Sequence, residues 1–346
     1  MTRELPATAI VDPRTDPRWA RLVAGNASAS IFHHPAWLRV LTDQYPYRLA
    51  AICVRDGANA IAAGLPVALV SSRLTGRRLV ALPFSDVCPP LIAVDAPADV
   101  LSALARELDT VRRRRQLPLE VRAPLPELAE PSARFCHHRL QLRDALVDVE
   151  RRYASQVRRN IRKARRLGVE VARRHDLHAI DTFYELHLQT RRRLGVPTQS
   201  RAFIRSLASL FSQDLGFVAI ARFEGRPVAA AIFLSAGRTL TYKYGASDQR
   251  FQHVRPNNLL FAEIIRWASE AGLATLDFGR TDPANQGLRA FKRSWGAVEQ
   301  PLAYTYCGTP PARGGPGLER VAAAVIRRTP KTVGRVVGTL LYPHAG

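Results

Sequence analysis

The chain has 346 residues, with 51 Lys or Arg against 29 Asp or Glu and a formal net charge of +22. Hydrophobic residues make up 47%, which fits a globular protein, excludes a long disordered half, and at this length favours two cores over one. No run of roughly eighteen apolar residues offers a membrane span, and the first residues lack the apolar centre of a signal peptide, so the expected location is the cytoplasm.

The first elements in chain order are a helix from about Pro35 to Thr42, with Pro35 in its first turn, and a strand over Arg48 to Arg55. A second strand over AIAAGLPVALVSS and a third over Gly76 to Leu82 follow, leading into the loop LPFSDVCPP. Val87 to Ile92 has the prolines of a cleft-lining loop. Asp95 to Val111 is helical, because Leu101, Leu104, Leu108 and Val111 recur at spacings of three and four. Cys53, Cys88, Cys136 and Cys307 lie far apart without a C-x-x-C pair, which argues against a disulfide framework or a zinc knuckle. Cys136, His137 and His138 are adjacent. Three successive strand side chains cannot converge, so they read as structural.

A unit boundary falls near residues 140 to 150, giving an N-terminal unit over 1–147, a C-terminal unit over 148–310 and a basic tail over 311–346. Arg151 to Arg166 holds eight basic residues and no acidic one. As a helix it turns Tyr153, Val157, Ile161 and Ala164 to one face and its arginines to the other, before Gly168 ends it. Like charges such as Arg158 and Arg162 at i,i+4 cost stability unless an anion offsets them. The stripe is either a polyanion-binding face or a solvated one. The excess of base over acid points to RNA or an anionic lipid surface; the preference for Arg over Lys is discounted, since a GC-rich genome produces it.

From Val169 the elements alternate: a strand VEVARR, a long helix over DLHAIDTFYELHLQTRRRLG, a second helix capped by Ser200, and three strands between Leu215 and Ser247. Gly225 and Gly237 supply the turns of that antiparallel meander. Asn257 and Asn258 open a helix ending at Gly272, and LATLDFG is the next strand. FKRSWGAVEQ is a loop or short helix before a last strand, PLAYTYCG. On its strand, Tyr242 and Tyr244 share one face and Lys243 takes the other. The tail, with six basic residues and one acidic residue from Arg313 onward, is expected to dock as a helix or lie on a membrane surface.

Two stretches carry chemistry. The connection ASDQRFQHVRPNN ends at a helix start, where free N–H groups and the helix dipole favour a phosphate, with Arg250 and Arg255 beside Asn257 and Asn258. It is neither a P-loop nor G-x-G-x-x-G, so a nucleotide kinase or a dinucleotide enzyme has no motif support. The second stretch, LDFGRTDPANQGLRAFKRSWG, starts at a strand end with Asp277 and runs past Arg280 to Lys292, Arg293 and Trp295. Lys292 and Arg293 could hold a phosphate or carboxylate against a Trp295 wall. Alternatively, Phe291 and Trp295 are helix anchors and both bases face solvent.

These segments resemble the GCN5-related N-acetyltransferase (GNAT) superfamily and, within it, the Fem-type aminoacyltransferases and related acetyltransferase-like proteins of polysaccharide and natural-product pathways. RRNIRKARRLGVEV resembles the family's basic helix and strand. TYKYGASDQRFQHVRPNNLLFAEIIRWASEAGLATLDFG resembles its strand, loop, helix and strand, and GLRAFKRSWG its Gly-Leu-x-x-Phe-Lys signature. SIFHHPAWLRVL resembles the first helix of the N-terminal unit. The resemblance implies a mixed α/β (α+β) fold of two GNAT-like units, each a largely antiparallel sheet flanked by helices, the first unit partly degenerate. It implies acyl transfer to an amine, with no tightly bound cofactor. The donor co-substrate is aminoacyl-tRNA or acyl-CoA, and the acceptor a small-molecule or cell-envelope precursor amine. Lys292 falls at the Phe-Lys position, associated with acceptor phosphate or transition-state stabilisation. RFQHVRPNN lacks the glycines of the CoA-binding loop, and the long helical-hairpin insertion of some Fem-type proteins is missing.

Attack of an amine on an acyl ester needs donor positioning, a proton acceptor and oxyanion stabilisation. Asp277 is the acidic candidate, or else a structural strand-end residue, and Tyr244 could donate or accept a proton, or simply pack. Aminoacyl-tRNA is the favoured donor and acyl-CoA the alternative. A non-catalytic RNA-binding protein has the charge in its favour but no recognisable nucleic-acid module. With the basic tail, the expected location is the cytoplasm, at the inner face of the membrane.

Overall fold

A computed structural model describes residues 7–72, 76–308, 323–328 and 331–344. Contacts divide the chain into two units, one of Met1–Phe135, Pro301–Ala312 and Pro343–Gly346, the other of Cys136–Gln300 and Arg313–Tyr342.

The first unit contains β1 (Thr8–Val11), α1 (Pro17–Ala24), α2 (Pro35–Gln44), β2 (Arg48–Arg55), β3 (Ile61–Ser72), β4 (Gly76–Ala81), β5 (Leu91–Ile92), α3 (Val100–Arg115) and β6 (Leu119–Val121). Its sheet runs β1-β2-β3-β4-β6 and is closed by the strand Val298–Cys307, antiparallel to β6. Every neighbouring pair is antiparallel except β4 and β6, which are parallel over three rungs, Leu79 to Ala81 against Leu119 to Val121. Apolar residues on α3, Leu104 and Leu108, fill the core against Leu65 and Val121. The helix starts at Val100 rather than Asp95, because Pro97 and Asp99 form the preceding turn. β1 and α1 were not foreseen, although Asp16 accepts from the Arg18 N–H and Pro17 occupies the first turn, both ordinary start signals.

The second unit contains β7 (Pro131–Gln141, from Cys136 on), α4 (Leu146–Arg151), α5 (Ser155–Arg166), β8 (Glu170–Arg174), α6 (Leu177–Leu194), α7 (Arg201–Ser206), α8 (Ala208–Phe211), β9 (Gly216–Phe223), β10 (Arg226–Ala236), β11 (Thr239–Ser247), α9 (Pro256–Glu270), β12 (Thr275–Thr281) and α10 (Gln286–Ser294). Its sheet order is β8-β9-β10-β11-β12-β7, again antiparallel at every pair but one, β11 with β12. Each sheet is therefore a meander, a parallel pair and a closing antiparallel strand. The basic helix predicted from Arg151 is broken: the acidic link forms α4, and α5 begins at Ser155 after Ala154 donates its N–H to the Ser294 carbonyl. The predicted apolar face holds, with Tyr153, Val157, Ile161 and Ala164 buried in the core that also contains Phe261 and Trp295.

In the tail, Gly195 ends α6 in the left-handed region with Ala323 packed where a Cβ would lie, and Gly338 sits against the Thr198 carbonyl. Arg191 donates to the Tyr342 hydroxyl, which in turn donates to the Pro197 carbonyl. The helix Lys331–Leu341 is thus docked on the second unit, whereas residues 318–322 of the predicted tail helix lie outside the described residues. This corrects the expected location at the inner face of a membrane. Among the described residues no helix is long and apolar enough to cross a membrane, and the tail helix spends its glycine face on protein.

Two buried histidines give the fold a pH dependence. Burial holds both His33 and His187 down at about 4, against hydrogen bonds to the Pro89 carbonyl and to Gln199 that act the other way. The unfolded chain protonates them near the ordinary value of 6.5 and the folded chain only near 4. Their stabilisation is fully present above about 6.5 and is lost as pH falls toward 4, roughly 3 kcal/mol each at most. We expect urea midpoints to fall between pH 7 and pH 5 and the fall to be smaller in His187→Gln; a pH-independent midpoint contradicts this assignment.

Candidate active site

β11 and β12 pair through only three rungs, Thr239 with Thr275, Leu240 with Leu276 and Thr241 with Asp277. Beyond those rungs β11 runs on to Ser247 and β12 to Thr281 without further pairing to each other, which makes a fork. On its other edge β12 is irregular: Asp277 faces Arg139, but the next rung joins Arg280 to His137. Phe278 and Gly279 form a bulge in which Gly279 has φ +68°, a left-handed conformation that favours glycine.

The bulge is held from two sides. Asp277 Oδ1 accepts the Gly279 N–H at 2.7 Å and lies 2.8 Å from His137 Nε2, while Arg139 Nε is 3.6 Å from Oδ2. Lys292, on α10 and 2% exposed, donates from Nζ to the carbonyls of Gly279 at 3.0 Å and Arg280 at 3.1 Å. Burial would raise the Asp277 pKa, but the hydrogen bond and charge of His137, the Gly279 N–H and the nearby Arg139 more than offset it, so the carboxyl sits below its usual value. Next to it, Glu299 accepts from Arg289 at 2.7 and 3.0 Å and lies 3.0 Å from His138 Nε2; Arg289 holds its carboxyl down at about 2. Burial, reinforced by the charge of Lys292, lowers the pKa of His138.

The sequence candidates separate into groups. Asp277, Lys292 and Arg280 meet at the bulge. Arg293 is exposed on α10, and Trp295 is fully buried, ring to ring with Tyr153, Phe261 and Phe291, so it is a core residue and not a cleft wall. The expected sharing of one face by Tyr242 and Tyr244 is corrected: Ile232 pairs with Tyr244 and Phe233 with Tyr242, so Lys243 is an extra residue that breaks the alternation. Tyr242 turns to Phe261 and Phe278, its hydroxyl filling the space a Cβ would need at Gly245; Tyr244 turns instead to His187 on α6. Arg250 is exposed and paired with Asp248, and Arg255, with φ +59°, precedes Pro256 at the start of α9. Asn257 and Asn258 lie in the first turn of α9, where no side chain caps the helix.

His137 and His138, read as structural, are the residues sequence reasoning missed. They do not converge, but alternation on β7 aims one at Asp277 and the other at Glu299. Their signal was two histidines on a strand in a chain with few acids to pair with them.

Residues 151–293 match the family described as "Acetyltransferase (GNAT) domain". A stretch of 79 residues is 38% identical to the lipid II:glycine glycyltransferase of Staphylococcus epidermidis, covering 21% of this chain and 19% of that protein, so the match spans about a fifth of the relative. The crystal structure of FemX superposes with a TM-score of 0.66 at 15% identity, over 86% of this chain and 96% of that one. L-PGS from Bacillus licheniformis superposes at 0.55 and 13%, over 92% and 99%. Residues 151–293 therefore carry the GNAT superfamily fold. Within that class its similarities include FemX-type proteins.

Replacing Lys292 by Met leaves the buried Gly279 carbonyl and the half-buried Arg280 carbonyl without their charged donor, at an expected cost of about 1–3 kcal/mol. Denaturant unfolding should show that loss, and amide exchange should quicken from Asp277 to Thr281. Parent-like protection across those residues contradicts the clamp.

Proposed function

We propose that the chain is an acyl-type transferase that forms an amide on an amine acceptor, with aminoacyl-tRNA as the donor. The observation that carries the reading is the β11–β12 fork with the ionised, hydrogen-bonded Asp277 at its base. A donor's acyl group lying in the fork meets backbone donors for its carbonyl oxygen, while Asp277, partnered by His137, orients the incoming amine and accepts its proton. The C–N bond forms, the bond from the acyl carbon to the donor's ribose oxygen breaks, and the proton is delivered to that oxygen. Lys292 keeps the bulge in shape; Tyr244 sits on β11 beyond the fork as a further proton-handling group. Arg250, Arg255, Asn257 and Asn258 flank the start of α9 for the donor's phosphates, and Arg280 and Arg293 are assigned to the same donor.

The tRNA donor is supported by the net charge of +22 and by α5, on which Arg158, Arg159, Arg162, Arg165 and Arg166 are exposed and, among the described residues, only Arg165 reaches a carboxylate, Glu263. A cell-envelope amine as acceptor is supported by likeness to a protein named lipid II:glycine glycyltransferase. The match to an acetyltransferase family favours a second reading, in which acyl-CoA acylates a sugar or small metabolite amine. In both readings the chain comprises two GNAT-like units, drawn from the sequence at 1–147 and 148–310 with a tail over 311–346, whereas contacts assign 136–147 to the second unit and 301–310 to the first. The shared order of antiparallel meander, parallel pair and closing strand in the two sheets supports that duplication.

Purified protein supplied with labelled aminoacyl-tRNA or acyl-CoA and a panel of amines should transfer label from the charged tRNA. Asp277→Asn should lower kcat/KM by about 10²–10⁴. Transfer only from acyl-CoA selects the second reading. No transfer from either donor, or full activity in Asp277→Asn, overturns the mechanism.

A further inference from the structure

A cavity of ≈ 450 Å³ opens beside the C-terminal end of α6, away from the Asp277 bulge in sequence and built from three separate segments. α6 contributes Arg192 and Arg193, the turn after β11 contributes Ser247, Asp248 and Arg250, and the tail segment 323–328 contributes Arg327. Four guanidiniums thus line the cavity against one carboxylate, and that carboxylate is already taken: Asp248 bonds Arg250 at 2.6 Å and also accepts the Arg250 N–H. Neither the Arg192 nor the Arg193 side chain has an ion-pair or hydrogen-bond partner among the described residues, and the Nε of Arg192 is buried. Among the described residues, Arg327 makes a 3.5 Å approach to the Leu194 carbonyl and no ion pair.

The helix dipole accounts for arginines in the last turn of α6. It does not account for a further arginine brought there from more than a hundred residues away. That delivery is secured independently of charge, since Gly195 lets the backbone of Ala323 pack directly on the end of α6. Converging guanidiniums repel one another unless an anion neutralises them, and a guanidinium fork matches phosphate oxygens in geometry.

We propose that this cavity is a phosphate-binding site, completed by Arg327 from the tail, for phosphodiester or pyrophosphate groups of a polyanionic ligand. Its place in the reaction, as a hold on the donor, rests on the transferase reading above; its chemistry does not. The phosphates could belong to an RNA backbone or to a nucleotide such as coenzyme A, and the two probes separate those sources.

The test is direct binding by the full chain of an RNA minihelix and of coenzyme A at several salt concentrations. The variants are Arg193→Gln, Arg327→Gln, both together, and the exposed Arg115→Gln as a charge-matched control. The parent should bind at least one probe. The double variant should weaken that probe at least tenfold and flatten the salt dependence by about one unit per arginine removed, while the control stays within twofold. Arg193→Lys with Arg327→Lys should recover part of the loss. Loss for RNA alone assigns the site to a phosphodiester backbone, and loss for coenzyme A alone to nucleotide phosphates. If the double variant fails to fold, Arg193→Gln, which changes an exposed side chain, gives the answer by itself. No binding by the parent, an unchanged dissociation constant in the variants, or an equal loss in the control overturns the proposal. Because binding is read without turnover, loss of binding in a protein that transfers nothing sinks only the transferase reading. Turnover with binding indifferent to these arginines sinks only the cavity.

Discussion

The geometry of the second unit turns on a single conflict at β12. Its first three residues are locked in parallel register with β11, and its last residues are locked to β7 after a one-step slip. A strand cannot satisfy both neighbours through a bulge unless the displaced backbone groups find other partners. Asp277 takes the Gly279 N–H, and Lys292 takes the Gly279 and Arg280 carbonyls. With those groups occupied, β12 has no reason to rejoin β11, and the fork stays open. One carboxylate and one ammonium thus hold a sheet irregularity in place where the pairing of β11 with β12 ends.

The same residues set the local electrostatics. A buried lysine is costly unless carbonyl dipoles or charges surround it, and its presence lowers the pKa of His138 nearby. Two acids then divide the work: Glu299 is saturated by Arg289 and His138, while Asp277 is shared between His137, a backbone N–H and a more distant arginine. Glu299 is a structural anion, whereas Asp277 has the looser partner. In a chain so rich in arginine, the scarcity of acids makes each buried carboxylate informative.

Much of this was legible beforehand. The meander and its turns followed from alternation and from Gly225 and Gly237, both with positive φ in the structure. The helix after the Pro-Asn-Asn start and the strand ending at Asp277 followed from periodicity. What was not legible arises from pairing between distant segments. Nothing local says that β7 lies beside β12, so His137 could not be matched to Asp277. A bulge at Lys243 is invisible to a period-two pattern, which is why Tyr242 and Tyr244 were placed on one face. Trp295 looked like a rim residue because it follows two bases, but a 3.6-residue period through Phe291 turns it inward. The break before α5 was hidden for a related reason: Tyr153 continues the apolar spacing even though the backbone pauses there.

The central claim is that the fork between β11 and β12 receives the acyl group of the donor. A crystal structure of the protein bound to a non-reactive donor analogue, an amide-linked aminoacyl-adenosine or an acyl-CoA ether, tests it most directly. The account predicts the acyl group between the strands beyond Thr241 and Asp277, its carbonyl oxygen hydrogen-bonded to backbone N–H groups and its reactive carbon within reach of an amine held by Asp277. An analogue bound elsewhere, with the fork filled by side chains or closed by strand pairing, would contradict it.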